Sequence, residues 1–175
     1  MVQLIKLVVI VSLFTIATAC NEDEKEKIPS AAPGTMCVNF HGVQVTNSTT
    51  SEVVADFTPS TAELNVQGWF QTKDVVPVES TYISIYLKNA KTGQFEIKGN
   101  LTTSADTHYI FYSINSGKET YYSWLGPESV AGKVTIKKLD TTNKLASGSF
   151  EVKLYNDAAK MIELTEGSFT DIRIY

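Results

Sequence analysis

Apolar residues alternate with polar ones along most of the chain from Met36 to the C-terminus, and a period of two is the signature of half-buried strands. TYISIYLK is the clearest case, with Tyr82, Ser84 and Tyr86 facing one way and Ile83, Ile85 and Leu87 the other. MCVNFHGVQV sets Met36, Val38 and Phe40 against Cys37, Asn39 and His41. The same pattern aligns Leu64 with Val66, Phe95 with Ile97, Val134 with Ile136, and Phe150 with Val152 and Leu154. Near the end it aligns Ile162 with Leu164, and Ile172 with Ile174. THYIFYSI and TYYSWL are dense in aromatics, which suit a pleated, half-buried surface. Turn residues punctuate these runs at 88–93, 115–118, 140–143 and 155–157, where Asn, Asp and Gly accept the positive φ of tight hairpins. Outside the leader no window sustains an i, i+3, i+4 apolar pattern. The expectation is one all-β domain over residues 35–175, an antiparallel β-sandwich or barrel of about ten strands.

The first nineteen residues follow a different rule. Lys6 precedes an apolar run, Leu7 to Ile16, and the small residues Ala17, Thr18 and Ala19 come next. That is the layout of a secretory signal, and the run is too short for the roughly 20 residues that span a bilayer. Ala17-Thr18-Ala19-Cys20 resembles the bacterial lipobox, although Ala17 stands where Leu is usual. The resemblance implies a lipidated (palmitate-bearing) Cys20 as the mature N-terminus, anchored by its acyl chains. The competing reading joins Cys20 to Cys37, the only other cysteine, in a disulfide. Asn21 to Lys27 is an acidic, apolar-free run that cannot order itself by burial. Residues 20–34 therefore read as a disordered tether reaching at most about 50 Å, at ~3.3 Å per residue. Acidic residues just after the cysteine also resemble the signal that sends Bacteroidota-type lipoproteins to the outer cell surface. The expected location is the outer membrane, with surface exposure implied by that resemblance.

Charge and cysteine content narrow the function. A formal charge of −4 gives no electrostatic case for nucleic acid, whose binding depends on neutralising phosphates. With Cys20 lipidated, Cys37 remains as a strand residue packed like a small hydrophobe.

The C-terminal third resembles the closing segment of small, uncharacterised Bacteroidota-type lipoproteins that carry a domain of unknown function. The matching elements are Gly132-Lys133-Val134-Thr135-Ile136, Asp140 to Lys144, Ser147-Gly148-Ser149-Phe150 and Thr165-Glu166-Gly167-Ser168-Phe169. MCVNFHGV, AELNVQGW and TGQFEIKG are compatible with the same family. The resemblance implies an anchored β-rich domain and carries over no functional residues. Read physically, Gly148 and Gly167 inside strands mark bulges or close backbone approach, with Phe150 and Phe169 as core plugs.

No catalytic arrangement emerges. His41 and His108 are the only histidines, and zinc needs three or four ligands. Cys37 and His41 share a strand face but stand about 13 Å apart. His108 follows Asp106-Thr107 and suits a hydrogen bond at a turn. G-x-S-x-G and phosphate loops are absent, and 19 acids supply carboxylate pairs too freely to single one out. No metal, no cofactor and no enzymatic activity are expected. Tyr109, Phe111, Tyr112, Tyr121, Tyr122 and Trp124 crowd one hairpin, and Trp69 and Phe70 stand elsewhere. Core packing would account for most of them, but alternation must turn some outward. Tyr112, Tyr122 and Trp124 are the candidate ligand-binding set, since rings offer large rigid contact area. Sequons at Asn47 and Asn100 carry no weight in a bacterial lipoprotein. Asp140-Thr141-Thr142 resembles the O-glycosylation acceptor of Bacteroidota, with Thr141 as the acceptor; turn chemistry alone also accounts for it.

The function expected is that of a lipid-anchored, non-enzymatic binding or accessory module with a glycan, peptide or membrane-protein partner. The alternatives are a purely structural envelope lipoprotein and a lipocalin-like carrier of a small apolar ligand.

Overall fold

A computed structural model describes residues 32–40, 42–47, 53–72, 79–101, 108–114 and 117–175. The leader, Cys20, the acidic run and His41 lie outside the described residues. The fold is all-β, as the alternation requires. Its strands are β1 (Thr35–Phe40), β2 (Val43–Thr46), β3 (Val53–Thr58), β4 (Glu63–Thr72), β5 (Glu79–Leu87) and β6 (Gly93–Lys98). They continue as β7 (Tyr109–Ile114), β8 (Glu119–Tyr122), β9 (Val130–Asp140), β10 (Leu145–Tyr155) and β11 (Met161–Arg173). MCVNFHGVQV folds as two strands, because Gly42 at φ +80° turns the chain and Phe40 pairs with Val43. TYYSWL ends its strand at Tyr122 and becomes a single 3-10 turn, Ser123–Leu125, ahead of Gly126-Pro127.

Hydrogen-bonded neighbours run β2-β1-β11-β10-β8-β7-β5-β4-β3, and β6 joins through β9 to β10. The bend is at β10. Its first part pairs with β9, whereas Tyr155 pairs with Tyr122 of β8. β9 and β8 thus share one edge of β10, leading on to β6 and to β7-β5-β4-β3, while β11 lies along its other edge with β1 and β2 beyond. The edge strand β3 meets the end of β11 at an isolated parallel bridge between Ala55 and Ile174, where the Tyr175 amide donates to the Ala55 carbonyl at 2.9 Å. The antiparallel sheet is thereby curled into a half-barrel with its apolar faces turned inward.

The interior holds the residues that the alternation assigns to it. Leu64 and Val66 of β4, Ile83, Ile85 and Leu87 of β5, and Val134 and Ile136 of β9 are all buried in one cluster. Cys37 is buried beside Ser168, with Sγ and Oγ 3.1 Å apart.

β11 breaks the alternation twice, and each break has a cause. Ile162 and Leu164 point inward, then Phe169, then Ile172 and Ile174, so the inward parity switches from even to odd and back. The switches fall at Glu166 (φ +51°) and Asp171 (φ +47°), where β11 has an extra residue relative to β10. These are β-bulges, and each re-aims the following side chains. The second is held by side chains: the Asp171 amide donates to Ser147 Oγ at 2.8 Å, and Lys138 Nζ contacts Asp171 Oδ1 at 3.0 Å.

Between the bulges, Gly148 pairs with Phe169 and Gly167 with Phe150. A Cβ on Gly167 would lie 2.6 Å from the Phe150 ring, and one on Gly148 would lie 2.6 Å from the Phe169 ring. Both rings are buried, at 3% and 1% exposure, and so cannot swing away. Gly167→Ala should therefore destabilise the protein by about 1–3 kcal/mol, the usual cost of overpacking. A denaturant series would show a lower midpoint at unchanged slope, whereas a wild-type midpoint would contradict the packing described.

Candidate functional site

The outer face of β4, β5, β7 and β8 carries the rings that the inner face excludes. Because Ile83, Ile85 and Leu87 point inward, Tyr82 and Tyr86 point outward, and strand pairing then sets their neighbours. Trp69 lies opposite Tyr82, Ser84 opposite Phe111, Tyr86 opposite Tyr109, and Phe111 opposite Tyr122. Trp124 is added by the 3-10 turn, which leaves the strand path and lays its indole against the end of the row.

Seven rings touch in sequence. Centroids are 5.0 Å apart for Trp69–Tyr82, 5.5 Å for Tyr82–Phe111 and 5.4 Å for Phe111–Tyr122. The path then turns through Tyr122–Trp124 at 4.4 Å and Trp124–Tyr109 at 5.3 Å, and returns to β5 at Tyr109–Tyr86, 4.9 Å. The outline is a horseshoe open toward β4. Its floor is polar: Gln67 faces Ser84 across the β4–β5 pair, and Ser84 Oγ donates to Asn65 Oδ1 at 2.8 Å. Trp69 is 38% exposed, and the other six rings are half-buried.

Electrostatics mark where these rings are held hardest. Burial, with a hydrogen bond to the Glu63 carboxylate behind it, pushes the Tyr86 phenol up to about 12. That same bond holds Glu63 below the usual carboxylate range. Burial also raises Tyr82 and Tyr109. At the β8–β10 corner the Tyr155 hydroxyl donates to Glu128 Oε1 at 2.7 Å, which raises that phenol in turn.

Of the candidate aromatics, Tyr122 and Trp124 lie on this face and touch. Tyr112 does not belong to it. It is 5% exposed and points inward, 5.7 Å from Phe40 and 6.2 Å from Tyr121. The alternation within β7 holds as read, but Ile110, fully buried, fixes the even positions as the inner side. Tyr109 and Phe111 therefore take the outward places, joined by Trp69, Tyr82 and Tyr86. The signal for Tyr82 and Tyr86 was the serine between them; the signal for Trp69 was its position between Gly68 and the buried Phe70.

The other singled-out residues have local roles. His108 Nδ1 accepts the Lys88 amide at 3.1 Å, and burial, aided by Lys98 and Lys88, keeps its imidazole below the usual histidine range. Among the described residues no three of His, Cys, Asp and Glu gather as metal ligands would. Asn47 is buried and its Oδ1 accepts the Met36 amide at 2.8 Å, while Asn100 is exposed at φ +52°. Thr141 is exposed in a turn that Asp140 organises by accepting the Thr142 and Asn143 amides.

No protein-family model, curated protein or solved structure matches this chain.

Two predictions follow from these placements. Tyr112→Ala should cost about 3–5 kcal/mol of stability, as for large aromatics in cores. Tyr122→Ala should cost clearly less, since part of its ring already faces water; equal losses in denaturant midpoints would contradict the assignment of faces. The second concerns alkali. A phenol with a raised folded pKa stabilises the fold fully below the ordinary value of 10.0, and that stability is lost as pH rises from there through about 12. Ultraviolet titration should show late-ionising tyrosine that diminishes in Tyr86→Phe. Uniform ionisation at the ordinary value would contradict the Glu63–Tyr86 bond.

Proposed function

We propose that this chain is a lipid-anchored, non-enzymatic binding module of a bacterial outer membrane, and that its ligand lies on the outward aromatic face. The reading is supported at the N-terminus by the lipobox-like Ala17-Thr18-Ala19-Cys20 and the acidic tether. The resemblance to small Bacteroidota-type lipoproteins points the same way.

The observation that carries it is the horseshoe of rings. A solvated sheet face ordinarily bears polar residues, and contiguous exposed apolar patches on soluble domains tend to be interaction sites. Here the inner face is already filled by Phe70, Phe150, Phe169 and aliphatic side chains. That filling favours a ligand on the surface over a small molecule carried inside. The chain's two tryptophans, Trp69 and Trp124, both stand on this face, so indole emission reports on it directly.

Two measurements check the proposal. Cells should incorporate labelled palmitate into the wild-type chain and not into Cys20→Ala, and protease added to intact cells should remove the domain. Absence of label from the wild type would overturn the anchor. Solubilised envelope material should shift indole emission, and Tyr109→Ala/Tyr122→Ala should abolish the shift while unfolding cooperatively. Emission that no envelope fraction moves would favour a structural role.

A further inference from the structure

We propose that the occupant of the aromatic horseshoe is a neutral glycan chain, stacked on its rings and hydrogen-bonded by the Asn65 and Gln67 amides. The inference rests on the binding-module reading and names the ligand class for the same face.

Three properties of the face select that chemistry. The first is charge. The floor residues are uncharged, and the ionic groups stand at the margin, where Lys88 acts on Glu63 and offsets it. Asp56, opposite Asn65 on the edge strand β3, is exposed, and its charge reaches Tyr82. An anionic ligand requires a concentration of arginine or lysine, which the ring path lacks among the described residues.

The second is the kind of apolar surface. Aromatic faces carry partial negative charge and attract polarised C–H groups, such as those on the flat sides of pyranose rings. Protein interfaces centre on anchors seated in pockets. This face is instead a sheet surface whose aliphatic members, Val54 and Leu125, lie at its rim. A peptide adding as a strand needs an open edge, and β5 and β7, at the centre, are paired on both sides.

The third is spacing and polarity together. From Trp69 to Tyr122 successive rings stand on neighbouring strands, with centroids 5.0, 5.5 and 5.4 Å apart. A chain of six-membered sugars laid across the strands meets one ring after another. Between the two arms of the path, Asn65 has its carbonyl oxygen committed to Ser84, which leaves Nδ2 as the donor for a sugar hydroxyl. Ser84 itself is buried beneath the rings and acts by fixing that amide.

The test uses the full chain in detergent. Its indole emission is titrated, and its mobility followed in native gels, against a soluble β-glucan, a xylan, a mannan, an α-glucan and anionic polygalacturonate. At least one neutral polymer should shift the emission and retard the band, with little dependence on salt. Trp124→Ala should weaken that binding roughly tenfold, and Trp124→Phe should keep it within about threefold. Thr135→Ala, on the opposite side of the half-barrel, should leave it unchanged. Should Trp124→Ala fail to unfold cooperatively, Tyr122→Ser serves in its place. Binding of polygalacturonate alone, or of no polymer while an envelope protein shifts the emission, would overturn the glycan and leave the binding module standing. No shift from any polymer or envelope fraction would overturn both.

Discussion

Phe150 covers Gly167 and Phe169 covers Gly148 across β10 and β11, so each ring fills the space that a side chain on the facing strand would otherwise need. The two pairs fall between bulges at Glu166 and Asp171, where β11 bends and twists more than a regular strand. Without those bends, a strand of 13 residues could not turn inward at Leu164, at Phe169 and again at Ile172. With them, β11 runs from the β1 side of the half-barrel to the bridge at Ala55. Closure of the sheet therefore depends on two glycines and two positive-φ residues. Closure in turn decides which face of β4, β5 and β7 is dry and which meets water.

Once the inner face is set, the outer face is a consequence of the two-residue period. Every isoleucine that enters the core from β5 sends a tyrosine or serine outward, and antiparallel pairing brings outward residues of neighbouring strands side by side. Ring-on-ring contacts contribute about 0.5–1.5 kcal/mol each beyond burial, so the same residues also stiffen the sheet. That contribution does not require seven rings on a half-exposed surface. Cross-strand stability is available from threonine and valine at much lower hydrophobic exposure. The rings thus form a platform held by packing across neighbouring strands, and a pre-formed surface lowers the entropic cost of the binding proposed for it.

Much of this was legible in the sequence, and the illegible parts have identifiable causes. Ile83, Ile85 and Leu87 shared one face of β5 in the alternation, and Gly148 and Gly167 marked bulges or close backbone approach, because both signals are local. The face of β7 was not local. YIFYSI alternates two aromatic positions with an isoleucine and another aromatic, so either set could have been the core. Only pairing with β5 decides it, and that pairing spans a gap of more than twenty residues. Trp124 lies on the outer face for a different reason than strand alternation, since the chain has already left β8 for a 3-10 turn. The parity switches in β11 were hidden because Glu166 and Asp171 are not glycine, the residue that usually marks a positive φ. Residues ahead of the domain speak only through the sequence, where the apolar run, Cys20 and the acidic stretch carry the case for an anchor.

These rings reach solvent as a set while their sequence neighbours do not. Laser-induced nuclear polarisation tests it directly, because a dissolved dye enhances only the tyrosine and tryptophan rings that it can touch. Enhanced signals are expected from Trp69, Trp124 and Tyr122, and none from Tyr112 or Tyr121. Enhancement of Tyr112 together with silence from Trp69 and Tyr122 would mean that the sheet is turned inside out relative to this structure, and the proposed binding face would fall with it.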